Sequence, residues 1–335
     1  MNYINLRNNG DVVEDEIQQI NPKILEMLLK DKSTQQNIIW ATDDYESFGE
    51  GYNKLDQIRP ELITKENSYL IQPRASKSKE VQENRIKARA EVFTPSWICN
   101  QQNNQIDEAW FGAKEVFNVE NGNSWETKRE RIDFEGMNKD WKAYVSARRL
   151  EITCGEAPYL FSRYDTTTGE MIPLADRIGL FDRKMRVVSE NCIDDEEWIE
   201  WSLKALKSIY GYDFQGDNVL LARENMLCDY LDYYLERFNK LPDMVLLRKV
   251  TNVIAWNIWQ MDGLKGVVPY SCHDVKQESQ LSLFEESKEV IVPCPGCTTG
   301  NINKHSGVYC RIYDWFGENN SITYVSMLRG GRNNG

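Results

Sequence analysis

No stretch of this sequence approaches the roughly 18 consecutive apolar residues needed to cross a bilayer, so no helical membrane span is expected. The opening segment, Met1 to Gly10, lacks the basic start and apolar block of a secretory signal, which makes the cytoplasm the expected compartment. The eight cysteines are then expected as reduced thiols rather than a disulfide framework. A positive charge balance is missing too: 40 Lys and Arg stand against 52 Asp and Glu, a net charge of −12. Gripping nucleic acid by bulk electrostatics needs clustered cations, so a DNA-directed role has to rest on a local basic patch or on a partner. The one patch, Arg74, Lys77, Lys79, Arg85, Lys87 and Arg89, reads first as a solvated helix or linker. Internal repeats are absent, as is the Gly-x-Gly-x-x-Gly turn of nicotinamide-dependent oxidoreductases. Histidine is scarce, and both copies, His273 and His305, fall in one C-terminal window.

What is present fits a globular chain of about two domains at roughly 150 residues each. Asn21-Pro22 joins a cap residue to the proline that suits a first helical turn. Ile24, Leu25, Leu28 and Leu29 follow on one face, predicting a short amphipathic helix. Residues 37–72 mix short apolar runs with Gly49, Gly51 and Pro60, predicting irregular structure and short strands, so 1–75 is read as an N-terminal accessory region. Pro95 is expected to start a helix running to about Phe111. The pattern over 112–149 is weak beyond a helix around 141–149.

From Leu150 the pattern turns to strand, helix, strand, helix, strand. Asp194-Asp195 caps a helix bearing Trp198, Trp201, Ala205 and Leu206, which delivers the chain into a strand at Ile209. A stripe of Val219, Leu220, Leu227, Leu231, Tyr234, Leu235 and Phe238 marks the next helix, and another at 244–255 leads to a strand at Asn257. That order predicts an α/β fold with a doubly wound, Rossmann-like sheet spanning 76–270, followed by a Cys/His region and flexible tail at 271–335.

Ligands of open α/β sheets bind at the carboxyl ends of the strands. A glycine turn there brings backbone N–H groups to the ligand, and an acid after the next strand takes the ribose hydroxyls. Glu151, Cys154, Gly155 and Asp213 fit those roles. In order, these segments resemble the adenine-specific DNA methyltransferases of restriction-modification systems, in particular chains called restriction endonuclease subunit M. Phe93-Thr94-Pro95 resembles the Phe-x-Thr-Pro motif that lies beside the methionine end of the cofactor in this family. Leu150-Glu-Ile-Thr-Cys-Gly-Glu-Ala-Pro-Tyr-Leu160 is similar to its Asp-Pro-Ala-Cys-Gly-Ser-Gly-x-Phe-Leu loop. Ile209-Tyr-Gly-Tyr-Asp213 with Leu221-Ala-Arg-Glu-Asn225 resembles the segment whose acid holds the ribose, and Asp262 corresponds to the acid that hydrogen-bonds the cofactor's adenine. The resemblance implies S-adenosylmethionine as cofactor, held by Phe93, Thr94, Pro95, Glu151, Cys154, Gly155, Asp213 and Asp262.

Three departures stand out. Ala157 replaces the family's second glycine and is followed by Pro158, placing a methyl where close approach to the cofactor is expected. The spacing from Gly155 to Asp213 demands an insertion, placed at 161–197. Most tellingly, the family's Asn/Asp-Pro-Pro-aromatic catalytic loop has no counterpart, because the two Pro-aromatic pairs, Pro158-Tyr159 and Pro269-Tyr270, follow Ala and Val. No catalytic residue is assigned. Methyl transfer to a flipped adenine depends on positioning the base against the cofactor, so the expectation is a separate chain that supplies the catalytic loop and recognises double-stranded DNA. The alternative is a non-catalytic DNA- or protein-interaction module with a degenerate methyltransferase fold.

Cys294-Pro-Gly-Cys297 is followed by His305 and Cys310, while Cys272-His273 lies upstream. Two thiolates on a Pro-Gly turn converge on one ion, and a His with a third Cys closes a tetrahedral site. The expected ligands of a structural zinc are therefore Cys294, Cys297, His305 and Cys310, with the part of Cys272 or His273 left open. Cys99, Cys154, Cys192 and Cys228 sit in apolar or turn contexts expected to bury them as inert thiols.

Overall fold

The computed structural model describes residues 14–77, 94–279, 288–317 and 320–330. Helices α1 (Glu14–Ile20) and α2 (Pro22–Leu29) come first. Asn21 caps α2, its side-chain oxygen accepting the Lys23 N–H at 2.9 Å, and Ile24, Leu25, Leu28 and Leu29 are all buried as their spacing predicts. Beyond α2 two isolated bridges, Lys30 with Asn37 and Ile39 with Gln57, stand in place of the expected short strands, and Pro60–Ile63 (α3) adds one helical turn.

Helix α4 (Ser96–Phe111) starts directly after Pro95, as expected, and ends at Gly112, whose φ of +69° suits glycine. A hairpin of β1 (Asn118–Asn121) and β2 (Ser124–Thr127) follows in the stretch where little was expected, turning through Gly122-Asn123. Gly122-Asn123, with glycine at the first central position, is a dipeptide that favours such turns, so the signal was present. Asp140 then caps α5 (Trp141–Ser146) by accepting the Ala143 N–H.

The centre of the molecule is a three-stranded parallel sheet of β3 (Arg149–Ile152), β4 (Ile209–Asp213) and β5 (Ile258–Gln260), side by side in that order. The β3–β4 crossover carries α6 (Leu180–Asn191) and α7 (Asp195–Lys207), so the inserted stretch at 161–197 contains the buried helix α6 after a mostly irregular segment. The Asp194 carboxylate caps α7 by accepting the Glu197 N–H at 2.8 Å, and acids in its first turn and lysines in its last suit the helix dipole. The β4–β5 crossover carries α8 (Gly216–Phe238) and α9 (Met244–Asn257). The chain is therefore mixed α/β. Among the described residues β3 is an edge, with Leu150 and Ile152 exposed at 40% and 61%.

Alternation along β4 splits the interior in two. Ile209, with Ile258 of β5, joins the large core that also contains Ile17, Leu25, Trp40, Trp198, Leu220 and Val253, so the accessory region is packed into the same core as the sheet. Tyr210, Tyr212 and Trp259 face a smaller core closed by Cys310, Ile312 and Tyr324 from the C-terminal segment. That segment contains the hairpin β6 (Val275–Ser279) and β7 (Lys288–Val292), a short helix α10 (Pro295–Thr299), the hairpin β8 (Arg311–Tyr313) and β9 (Ser321–Thr323), and α11 (Tyr324–Gly330). Gly211 is fixed by packing, since a Cβ there would lie 3.1 Å from Ile258 and 3.2 Å from the Cys154 sulfur.

Arg223 on α8 binds the layers together. Its guanidinium, fully buried, donates to the carbonyls of Leu28, Lys30, Ala255 and Ile258, and desolvation brings its pKa down to about 10. Arg223→Met strands several buried carbonyls and should cost about 3 kcal/mol or more in chemical denaturation. A loss under about 1 kcal/mol would show that those carbonyls find other partners.

Candidate functional site

The carboxyl ends of the three strands form one rim. After β3 the backbone takes left-handed conformations at Thr153, Gly155 and Ala157, with φ of +46°, +54° and +61°. The Gly155 N–H donates to Asp213 Oδ2 at 2.9 Å, and Asp213 Oδ1 accepts the Gln215 N–H at 3.0 Å. The next strand joins the rim through the Met261 N–H, which donates to the Asp213 carbonyl at 2.9 Å. Glycine suits position 155 because its φ is positive; no described residue lies within 4 Å of where a Cβ would project, so its backbone borders open space.

Burial pushes the Asp213 carboxyl up, opposed by hydrogen bonds from Gln215, Gly155 and Asn218. Glu151 of β3 is driven well above the usual carboxylate range, first by burial, with the Tyr159 and Leu160 amides pulling it down. Its Oε2 is buried and has no hydrogen-bond partner among the described residues. Cys154 is buried beside both acids, and burial together with their charge pushes its thiol far up, which makes it an inert packing group.

Neighbouring residues pin this loop. The Ala157 methyl, expected to intrude on the cofactor, is fully buried in the large core. Glu156 accepts the Arg74 N–H at 2.6 Å and the Tyr164 hydroxyl at 2.7 Å, and Asn225 donates to the Glu156 carbonyl. These ties come from the accessory region, the β3–β4 crossover and α8, so Asn225 of the Leu-Ala-Arg-Glu-Asn segment acts through the loop. Thr94 is tied to Tyr159 by a side-chain hydrogen bond, and its carbonyl accepts the Thr166 hydroxyl at 3.2 Å. Thr94-Pro95 is thereby anchored to the end of the β3 loop, while Phe93 lies outside the described residues.

Asp262, next along the rim, is already engaged. Its Oδ1 accepts the Leu264 and Lys265 N–H groups at 3.2 Å each, and its Oδ2 pairs with the Lys265 ammonium at 3.0 Å. Residues that the sequence reading passed over also build the rim. Gln260 exchanges hydrogen bonds with the Ile39 backbone and donates to the Phe214 carbonyl, and the Gly216 N–H donates to the Trp40 carbonyl. Buried Asp217 accepts the Tyr45 hydroxyl at 2.8 Å and faces Lys77 at 3.8 Å.

A second site lies in the C-terminal segment. Cys272, Cys294, Cys297 and His305 bring their ligand atoms within 4.8 Å of one another, and this group can hold a metal ion. The three sulfurs lie 3.6, 3.7 and 3.7 Å from His305 Nδ1. Gly296 allows this approach, because a Cβ there would sit 2.5 Å from the imidazole. Cys310 is not in the group, contrary to expectation. It is fully buried, with its thiol donating to the Gln260 carbonyl, because its own N–H is bound to Gly266 in the pairing that builds the smaller core. Cys272 takes its place, and His273 stays exposed outside the group.

The thiols differ in their readiness to ionise. Desolvation pushes Cys294 up, yet hydrogen bonds from Ser306, Cys297 and His305 outweigh it and bring it down to about 5. Burial and the neighbouring Cys297 and Cys294 push Cys272 up to about 11. The Cys294 thiolate forms easily and Cys272 resists following it, a resistance that a bound cation removes.

Comparisons with family models, with curated proteins and with solved structures gave no match.

Glu151 and Asp213 both hold their protons more tightly folded than unfolded. Their stabilising contribution is complete below the unfolded values of about 4 and is lost as pH rises through the raised folded values. Thermal melts should therefore show Glu151→Gln losing less stability than the parent between about pH 5 and about pH 8, and parallel curves would contradict this. Metal analysis of purified protein should find about one equivalent, lost in Cys272→Ser and kept in Cys310→Ser; the reverse pattern would restore Cys310 as a ligand.

Proposed function

We propose that this chain is the S-adenosylmethionine-binding subunit of a DNA adenine methyltransferase of a restriction-modification system, with the catalytic loop and target recognition supplied by a partner chain. The observation that carries the reading is the Gly155–Asp213 hydrogen bond. It brings a glycine turn after one parallel strand beside an acid at the end of the next, the two positions from which open α/β sheets hold adenosyl and dinucleotide ligands. In this reading the three parallel strands are one half of a doubly wound, Rossmann-like sheet.

The residues fit the cofactor on two counts. Gly155 leaves open space at its Cα, and Glu151 has a buried oxygen, without a partner among the described residues, that suits a cationic group. When bound, S-adenosylmethionine supplies an electrophilic methyl on a sulfonium. In this reading Asp213 takes the ribose hydroxyls, Gly155 presents its backbone, Asp262 takes the adenine amino group, and Thr94-Pro95 borders the methionine end. A cation near Glu151 would oppose the upward push of burial on its carboxyl and favour the carboxylate.

The partner is supported by the edge of β3, which no described strand covers. Parallel pairing uses alternate residues for each neighbour, and the Arg149 N–H goes to Ser208, so Leu150 and Ile152 offer their amides to the outside. An edge carrying two exposed aliphatic side chains is a template for a further strand. The negative net charge accords with leaving most of the DNA contact to that partner.

For the metal, zinc is the best match. Zn–S and Zn–N bonds of about 2.3 and about 2.0 Å at tetrahedral angles place sulfur and nitrogen about 3.5 Å apart, close to the spacings around His305 Nδ1. Four protein ligands leave no position for a reactive water, so the ion's role is structural. In the alternative, a non-catalytic interaction module, Lys265 and the turn amides hold the Asp262 carboxylate for the turn itself, whereas in the cofactor reading the same contacts aim it.

Calorimetry of the purified chain with S-adenosylmethionine should give saturable binding, weakened about tenfold or more in Asp213→Ala. Adenine methylation of DNA should appear only on co-expression with the chain encoded beside it, and Ile152→Asp should abolish it without affecting cofactor binding. Methylation by this chain alone ends the split reading, and absence of cofactor binding ends the methyltransferase reading in favour of the module.

A further inference from the structure

The two sites are connected. The backbone of 305–310 is woven into that of 262–273: the Val268 N–H donates to the Val308 carbonyl at 2.8 Å, and the Cys310 N–H donates to the Gly266 carbonyl at 3.1 Å. Val267 bridges Asp262 on one side and Tyr309 on the other. The Ser306 hydroxyl accepts the His273 N–H, and the Val308 N–H donates to the Ser271 hydroxyl at 3.0 Å. The ligands Cys272 and His305 thus stand at one end of a small ladder, and the turn carrying Asp262 stands at the other.

Two side chains continue the connection to the rim. Lys265 holds Asp262 Oδ2 at 3.0 Å, and the charges of Cys297 and Cys272 also act on its ammonium. Tyr270, two residues before Cys272, is held at φ +57° and sets its ring edge-on against Phe214, centroids 5.5 Å apart. Phe214 directly follows Asp213. A bulky residue at positive φ is costly unless the surrounding structure enforces it, and a metal-clamped Cys272 supplies such enforcement.

We infer that metal held by Cys272, Cys294, Cys297 and His305 sets the affinity for the adenosyl cofactor through two positioning residues, Lys265 for Asp262 and Tyr270 for the segment after Asp213. The inference rests on the cofactor reading above. With three thiolates around a divalent cation the loaded site is an anionic, rigid body against which Lys265 and the 270–272 backbone are fixed. Emptied, it releases the turn, and Asp262 and Phe214 lose their fixed positions relative to Asp213.

The test compares metal-loaded protein, protein stripped with a chelator, and stripped protein given back Zn²⁺, each titrated calorimetrically with S-adenosylmethionine while metal content and thermal stability are followed. Stripping should weaken binding about tenfold or more, and restoring Zn²⁺ should reverse the loss. Since stripping can unfold the C-terminal segment, metal-loaded variants provide an independent arm. Lys265→Met and Tyr270→Ala should keep the metal and melt near the parent, yet bind the cofactor about fivefold more weakly, with Lys265→Arg restoring affinity. Equal affinity with and without metal overturns the coupling, and unchanged affinity in both variants overturns the roles of Lys265 and Tyr270. If the loaded parent binds no S-adenosylmethionine, it is the cofactor reading that has failed.

Discussion

A single hydrogen bond organises this molecule's rim: the Gly155 amide donating to a buried Asp213 carboxylate. A charge-assisted bond of this kind contributes about 2 kcal/mol, against the cost of sinking an acid into the protein. That acid is tolerable because Gln215, Asn218 and Gly155 all donate to it, and because its backbone carbonyl fixes β5 through Met261. The left-handed turn at 153–157, the parallel pairing of β3 with β4, and the placing of Glu151 beside Asp213 all follow from keeping this contact. The accessory region serves the same end from the other side, through Arg74 on Glu156 and the Ile39–Trp40 backbone against Gln260 and Gly216.

The sheet divides the chain into two packing problems. Its helical face is closed by α8, α9 and the N-terminal helices in one large core, with Arg223 satisfying carbonyls from three elements. Its other face has little of its own cover. The C-terminal segment closes it over Tyr210, Tyr212 and Trp259 but leaves Leu150 and Ile152 open. A segment that short has little apolar surface to bury. A metal cluster at one end and a backbone ladder to the β5 turn are the means by which such a segment is commonly held.

Local signals made much of this legible in the sequence. Asn21, Asp194 and the apolar stripe of α8 announce their helices because capping and 3.6-residue periodicity act over a few residues. The three strands and their terminal acids were legible for the same reason. What was hidden depends on long-range geometry. Arg223 meets Leu28 across 195 positions, and no pattern near either residue predicts it. The fourth metal position was ambiguous because both Cys272 and Cys310 lie at workable spacings from Cys294-Cys297. Only the pairing of Cys310 with Gly266, which turns its thiol toward Gln260, decides between them. Ala157 misled in a similar way: its type suggested a methyl in the cleft, whereas the backbone carries that methyl into the core. The hairpin at 118–127 is different, since its Gly-Asn turn was readable and was overlooked in a polar stretch.

The central claim is that the rim built on Gly155 and Asp213 is a receptor for an adenosyl sulfonium. Amide hydrogen exchange of the metal-loaded chain, with and without saturating S-adenosylmethionine, tests it most directly because it reports where a ligand sits as well as whether it binds. The account predicts slowed exchange confined to peptides spanning 150–160, 209–218 and 260–266. Unchanged exchange in all three, or protection elsewhere only, would contradict it.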